Sequence, residues 1–150
     1  MNPNQFIAML RALPTAVSET PMDSLHDEAG DVFRQAQSDH FATATDHFAQ
    51  SWKPRTRNYP WPILRKTRKM MRATVRKGAP GNVHKSNGRQ LVLGISGSDV
   101  PYAKFHHHGT LKMPMRRFLY LRKDEQKKLH PPIRSHLLNV FNRTRGRIRG

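Results

Sequence analysis

The sequence contains no cysteine, and that absence removes two chemistries at once: a disulfide framework and a thiolate zinc site. The redox compartment is left open by the same fact. Acids are nearly missing from the last hundred residues, where only Asp99, Asp124 and Glu125 stand among 25 lysines and arginines. Long apolar runs are missing too. The opening MNPNQFIAMLRALPTAV has neither a positive first segment nor a long hydrophobic stretch, so it reads as neither a signal peptide nor a transmembrane span. The expectation is a protein that acts in a cytoplasm or in something assembled there. Aromatics make up 8% and hydrophobic residues 36% of the 150 positions, low for a self-sufficient globule. Part of the apolar surface is therefore expected to be covered by other subunits or partners, around a single domain.

What is abundant is positive charge, and its distribution says more than its formal total of +17. Residues 1–50 hold seven acids (Glu19, Asp23, Asp27, Glu28, Asp31, Asp39, Asp46) and two bases, a net of −5, and the remainder is +22. A chain divided this way can bind polyanions. It can equally bind a copy of itself, acidic face to basic face.

Periodicity gives the coarse architecture. Phe6, Ile7, Met9, Leu10 and Leu13 fall near helical spacing and stop at Pro14, predicting a short amphipathic helix or docking arm, marginal alone. Thr20-Pro21-Met22-Asp23 reads as a helix start with a threonine N-cap. Leu25, Ala29, Val32, Phe33, Ala36, Phe41, Ala44 and Phe48 keep one face apolar to about residue 49, predicting a helix roughly 40 Å long. QSWKPRTRNYPWP then forbids regular helix with three prolines and predicts an extended, aromatic-anchored loop. MMRATVRKG and RQLVLGIS, separated by the glycine-rich GAPGNVHKSNG, read as an antiparallel pair, and RRFLYL as a third strand. KDEQKKLHPPIRSHLLNVFNR is helical in period, with Pro131-Pro132 expected to break and restart it before a solvated cationic end, RTRGRIRG. The order helix, small sheet, helix implies an α+β fold: a long N-terminal helix packed on a small antiparallel sheet, with a C-terminal helix.

The chemical candidates are few. His106, His107 and His108 are adjacent, so they cannot all point one way from a strand or helix, and Asp99 is the only acid within fifteen residues. No metal site and no cofactor site is expected from them. No Gly-x-Ser-x-Gly elbow, no phosphate-cradling loop and no acid pair inside the basic region points to catalysis; GISGS at 94–98 reads as a turn. No enzyme is expected. Residues 51–77 do interleave Trp52, Tyr59 and Trp61 with Lys53, Arg55, Arg57, Arg65, Lys66 and further bases, a pattern that could stack on bases and neutralise phosphates. The alternative reading of the same residues is anchors for a core or interface beneath a solvated basic face.

The order of these features resembles the phage virion morphogenesis proteins, the tail-completion and tail-assembly group of Mu-like and related tailed phages. That family has a long N-terminal helix, a tryptophan in a W.P context, an L.KTG.L segment and a YA.YHQ.GT....P.R.FL signature. Phe48, Trp52 and Pro54 match the first part, and Leu64, Lys66 and Thr67 the second. Tyr102, Ala103, His106, Gly109, Thr110, Pro114, Arg116, Phe118 and Leu119 match the third in unbroken order. Arg68 stands where the family has the glycine of its TG pair, His107 where it often has glutamine, and Pro131-Pro132 interrupts what is usually a continuous helix.

The resemblance implies a structural assembly part of a virion, made in the bacterial host cytoplasm and placed in the tail or neck. It would be a tail-completion or tail-terminator subunit that caps the tail and joins it to the head. Its implied layout is an N-terminal arm or short helix over 1–19, one α+β domain over 20–143 and a basic tail over 144–150. Its implied partners are further copies of itself in a ring of six, tail tube or sheath proteins and head–tail connector proteins, with the genome in the channel as a further contact and no membrane. Arg55, Arg57, Trp61, Arg143, Arg145, Arg147 and Arg149 are the candidate contacts with partner or DNA. The alternative is a basic nucleic-acid-binding module that contacts DNA through the same Arg/Lys and aromatic-rich segment.

Overall fold

Asn2 and Gln5 cap each other's backbone, with Pro3 in the first turn, and this box opens the first helix, α1, over Pro3–Glu19. The computed structural model describes residues 2–46 and 48–149, with only the backbone of Arg149. Pro14 does not end α1 as its sequence position predicts; the helix runs five residues further and closes at Thr20, whose N–H and hydroxyl both reach the Ala16 carbonyl. Tertiary contact outweighs the lost backbone bond, because Met9 is fully buried and α1 lies along the C-terminal helix.

The second helix, α2, spans Asp23–Thr43. It starts after Thr20, which belongs to the end of α1, and it stops well short of residue 49 because Ala44 turns into the left-handed region at φ 52°. Its 21 residues make it about 32 Å long. Arg65 donates to the Phe41 carbonyl and so satisfies one open acceptor of the last turn. Phe48, expected on the apolar stripe, lies beyond the helix on an exposed turn.

The antiparallel pair exists, one segment later than the sequence suggests. MMRATV forms a helix, α3 (Lys69–Val75), with Met70, Ala73 and Thr74 buried at helical spacing. Strand β1 is Asn82–Ser86, inside the stretch read as a separator, and pairs with β2, Leu91–Ile95, in the register Asn82↔Ile95 to Ser86↔Leu91. A short helix α4 (Ala103–His108) follows. RRFLYL is not a strand, and side chains take some of its backbone groups. Trp52 Nε1 donates to the Arg117 carbonyl at 3.1 Å, and the Gln37 amide meets both the N–H and the C=O of Tyr120. Helix α5 (Lys123–Gln126) passes through a 3-10 turn at Lys127–Leu129 into α6, His130–Arg149. Pro131-Pro132 thus sits in the first turn of α6, where a missing N–H costs nothing. Residues 144–149 continue that helix; Thr144 is buried, and Arg143, Arg145 and Arg147 are exposed, so the cationic end is solvated and helical. Among the described residues no helix is long and apolar enough to cross a membrane.

Two clusters hold these α+β elements on α2. The first is apolar: Phe41 meets Trp52 edge-on at 5.7 Å and Phe118 at 5.6 Å, above Met70, Ala73, Val100 and Ala103. The second is polar and sealed. His40, fully buried, stacks on the Tyr120 ring at 4.4 Å, and its Nε2 meets Glu125 Oε1 at 2.8 Å. Glu125 also accepts from the Arg122 guanidinium and from the Arg122 N–H, each at 2.8 Å. Elsewhere the acidic side of α2 meets basic residues of its own chain. Asp27 accepts from Lys77 Nζ at 2.5 Å and Arg34 donates to His84 Nδ1 at 3.0 Å, which docks the hairpin on the helix. Glu125→Ala strips the buried His40 and Arg122 of their shared acceptor and is expected to destabilise the protein by about 3 kcal/mol. Asp124→Ala, at an exposed neighbour, is expected to cost under about 0.5 kcal/mol in the same urea titration.

Candidate interaction site

Pro54, Pro60 and Pro62 keep residues 53–68 out of regular structure, and the loop they form is tied down from the other side of the molecule. The tie is Arg116. Its Nε donates to the Lys53 carbonyl at 3.0 Å and its Nη2 to the Pro54 carbonyl at 3.2 Å, while its own N–H donates to the His106 carbonyl at 2.8 Å. One side chain, 5% exposed, therefore joins the W.P segment to α4 and to the extended run after it. Gly109 makes that approach possible. It adopts φ 76°, and a Cβ there would stand 2.8 Å from the Met115 nitrogen. Thr110 closes the turn, exchanging backbone bonds with Met113 and accepting from the N–H groups of Lys112 and Met113 at its hydroxyl. Pro114 is half-buried, Ala103 and Phe118 enter the apolar core, and Leu119 packs against it.

The loop and α4 enclose a cavity of about 440 Å³. Ile63, Leu64 and Met70 give it an apolar lining; Arg55, Tyr59, Trp61, Lys66 and Thr67 come from the loop, and Tyr102, His106 and Arg116 from the opposite side. Leu64 is held at φ 61°, and Arg68 adopts φ 56° at the start of α3. Arg68 thus takes a left-handed conformation of the kind glycine adopts most readily. Tyr59 and Trp61 stack at 4.9 Å, Arg55 stands over the tyrosine ring at 5.3 Å and Lys66 over the indole at 5.2 Å.

The cavity is electrostatically one-sided. Among the described residues no carboxylate forms an ion pair with Arg55, Lys66 or Arg116. Burial, and then the nearby Arg55, push the Arg116 guanidinium below its usual value. Burial, and then Arg116, push His106 down as well, which keeps its imidazole neutral at pH 7. The site is a positively charged apolar hollow, suited to an anionic group carried on an apolar body.

The three histidines are split by their helix. His106 lines this cavity, whereas His107 meets the Phe118 ring edge-on at 5.4 Å and lines a separate hollow of about 240 Å³. His108 is exposed. Among the described residues no three His, Asp or Glu side chains gather as a metal-ligand group. Of the other residues singled out in the sequence, Arg57 is exposed on the loop and does not line the cavity. Arg143, Arg145 and Arg147 lie on α6, with Arg143 and Arg147 beside the end of α1 and not beside the loop. The Arg149 side chain and His47 lie outside the described residues.

Sequence reasoning missed that Arg116 is buried and without a counter-ion. The available signal was the period-two alternation of Pro114, Arg116 and Phe118 against exposed Met115 and Arg117, which puts the arginine on the core-facing side. Comparisons with protein-family models, with curated proteins and with solved structures give no match.

Two measurements check this site. His106 and His84 both hold a proton less tightly when folded than the ordinary value of 6.5. The unfolded chain is then protonated first as pH falls, so stability is complete above about pH 6.5 and is lost as pH drops through 6.5 toward the folded values. Thermal unfolding midpoints should fall between about pH 7.5 and 5, and His106→Gln should shrink that fall. Gly109→Ala is expected to destabilise by about 2 kcal/mol or more, because strain and a backbone clash coincide; Gly88→Ala, at a similar φ in open space, should cost about 1 kcal/mol.

Proposed function

We propose that this chain is a structural virion assembly protein, a tail-completion or tail-terminator subunit that forms a ring at the head–tail neck. The observation that carries the reading is the convergence of the residues behind the resemblance. Trp52 and Pro54 stand far in sequence from the segment that runs from Tyr102 to Phe118, yet hydrogen bonds from Trp52 and Arg116 join the two beside the cavity that Tyr102, His106 and Arg116 line.

Surface chemistry supports the same reading. Ile133, Leu137 and Leu138 on α6, Phe6, Ile7 and Leu10 on α1, and Leu111 and Met115 beyond α4 are exposed apolar side chains on a protein short of apolar residues. Surface of that kind is suited to other subunits, to tail tube or sheath proteins and to a head–tail connector. The work proposed is geometric: capping a polymer and presenting a surface to the next component, with charge complementarity setting the register. No turnover is part of it.

The second reading is a nucleic-acid-binding module in which the 52–66 segment stacks on bases. The arrangement of that segment weighs against it, because Arg55 and Lys66 already stand over the Tyr59 and Trp61 rings and a base would have to displace a cation. Sedimentation velocity of the purified chain at about 50 and 200 mM salt, with and without duplex DNA, separates the two. The assembly reading expects a discrete oligomer at both salt concentrations that leaves DNA free. A monomer that binds DNA at micromolar concentration, with affinity falling steeply with salt, would replace it by the second reading.

A further inference from the structure

We propose that the cavity between the 53–68 loop and α4 is a binding site for a small monocarboxylic acid with an apolar body. Its carboxylate would sit on Arg116 Nη1 and its body against Ile63, Leu64 and Met70. This goes beyond the assembly reading and does not depend on it.

Arg116 carries the inference. Two of its three guanidinium nitrogens hold the loop, Nε through the Lys53 carbonyl and Nη2 through the Pro54 carbonyl. The third, Nη1, bonds to no group among the described residues. Nor is Nη1 one of the unpaired nitrogens sealed from solvent, so the surface it keeps opens on the cavity that Arg116 lines. The residue as a whole is 95% buried, and among the described residues no carboxylate pairs with it. Two carbonyls orient this charge without neutralising it. A cation so far from water calls for an anion, and Nη1 is where a charge-assisted hydrogen bond is still open.

The rest of the lining selects the ligand. A volume of about 440 Å³ with apolar and aromatic walls and few polar groups is that of a small-molecule site. Lys66 and Arg55 stand over the Trp61 and Tyr59 rings, and Arg55 also donates to the Trp61 carbonyl at 2.7 Å; Lys66 is exposed and Arg55 half-buried, so water solvates both. Arg116 is left as the one buried cation of the lining, and it matches a single negative charge. A phosphate monoester, doubly charged at neutral pH, would exchange one unbalanced buried charge for another. The end of a peptide would bring amide groups that Ile63, Leu64 and Met70 cannot bond, whereas a free acid on a hydrocarbon body brings none. Arg116 and Arg55 tie the loop down before anything enters, so little ordering is left for the ligand to impose.

The test is isothermal titration calorimetry of the full chain with 4-phenylbutyrate as the probe. A Kd of about 1 mM or tighter is expected, the range open to a ligand of about a dozen non-hydrogen atoms. 4-Phenylbutyramide has the same shape without the charge and should bind about 10-fold more weakly or worse. Arg116→Gln should erase that preference. Because it also releases the Lys53 and Pro54 carbonyls, a second variant is used: Thr67→Trp, at an exposed position of the cavity wall, fills the site and should weaken the acid by about 10-fold or more. Arg147→Gln removes an equal charge on α6, away from the cavity, and should leave the affinity within about 2-fold. The inference falls if the acid gives no binding at about 10 mM, or if acid and amide bind alike. It falls equally if Thr67→Trp binds the acid as the wild type does, or if Arg147→Gln weakens it as much as Thr67→Trp. N-acetyl-glycyl-phenylalanine binding about 10-fold more tightly than 4-phenylbutyrate would overturn it in favour of a partner's chain end. None of these outcomes bears on whether the chain forms a ring.

Discussion

One sealed carboxylate holds the arrangement of this molecule. Glu125 is 1% exposed in a chain with a formal charge of +17, and it gathers the His40 ring, the Arg122 guanidinium and the Arg122 N–H around its two oxygens. An ion in that position is tolerated only with every lone pair occupied, so its partners fix where the last fifty residues meet α2. Tyr120, stacked on His40 and bonded to Gln37, is placed by it. Phe118 then falls against Phe41, and Arg116, two residues earlier, reaches the carbonyls of Lys53 and Pro54. The cavity exists because that chain of placements ends where it does.

The α+β layout was legible because three helical stripes and the LVLGI run have unambiguous periods. Where the text misled, a longer-range contact was stronger than a local signal. Pro14 is tolerated because α1 is pressed along α6, which no local pattern announces. MMRATV is too short to tell a helix from a strand by hydrophobicity, and burial of Met70, Ala73 and Thr74 on one side decided it. RRFLYL has strand chemistry and forms no strand, and amide and indole side chains take some of its backbone groups. Only three acids follow residue 50, so one of them was a candidate for a buried role; nothing local distinguished Glu125 from exposed Asp124.

At the site, residue types were easier to read than their company. Trp52, Arg55, Trp61, Leu64, Lys66, Thr67, Tyr102, His106 and Arg116 were all picked out in the sequence, and Trp52 proved to brace the cavity from the core while the rest line it. The arginines of α6 carry the same charge and lie elsewhere, because charge says nothing about which face an element presents. The acid–base division is partly satisfied within one chain, through Asp27 with Lys77.

The two tryptophans have different surroundings, and this makes the molecule its own optical instrument. Trp52 is buried with its indole N–H held by the Arg117 carbonyl, so its emission follows whether the core is intact. Trp61 is half-buried at the cavity wall, between the Tyr59 ring and the Lys66 ammonium, and its emission follows what enters there. With one indole replaced at a time, unfolding and occupancy become separate colours in a single untagged chain.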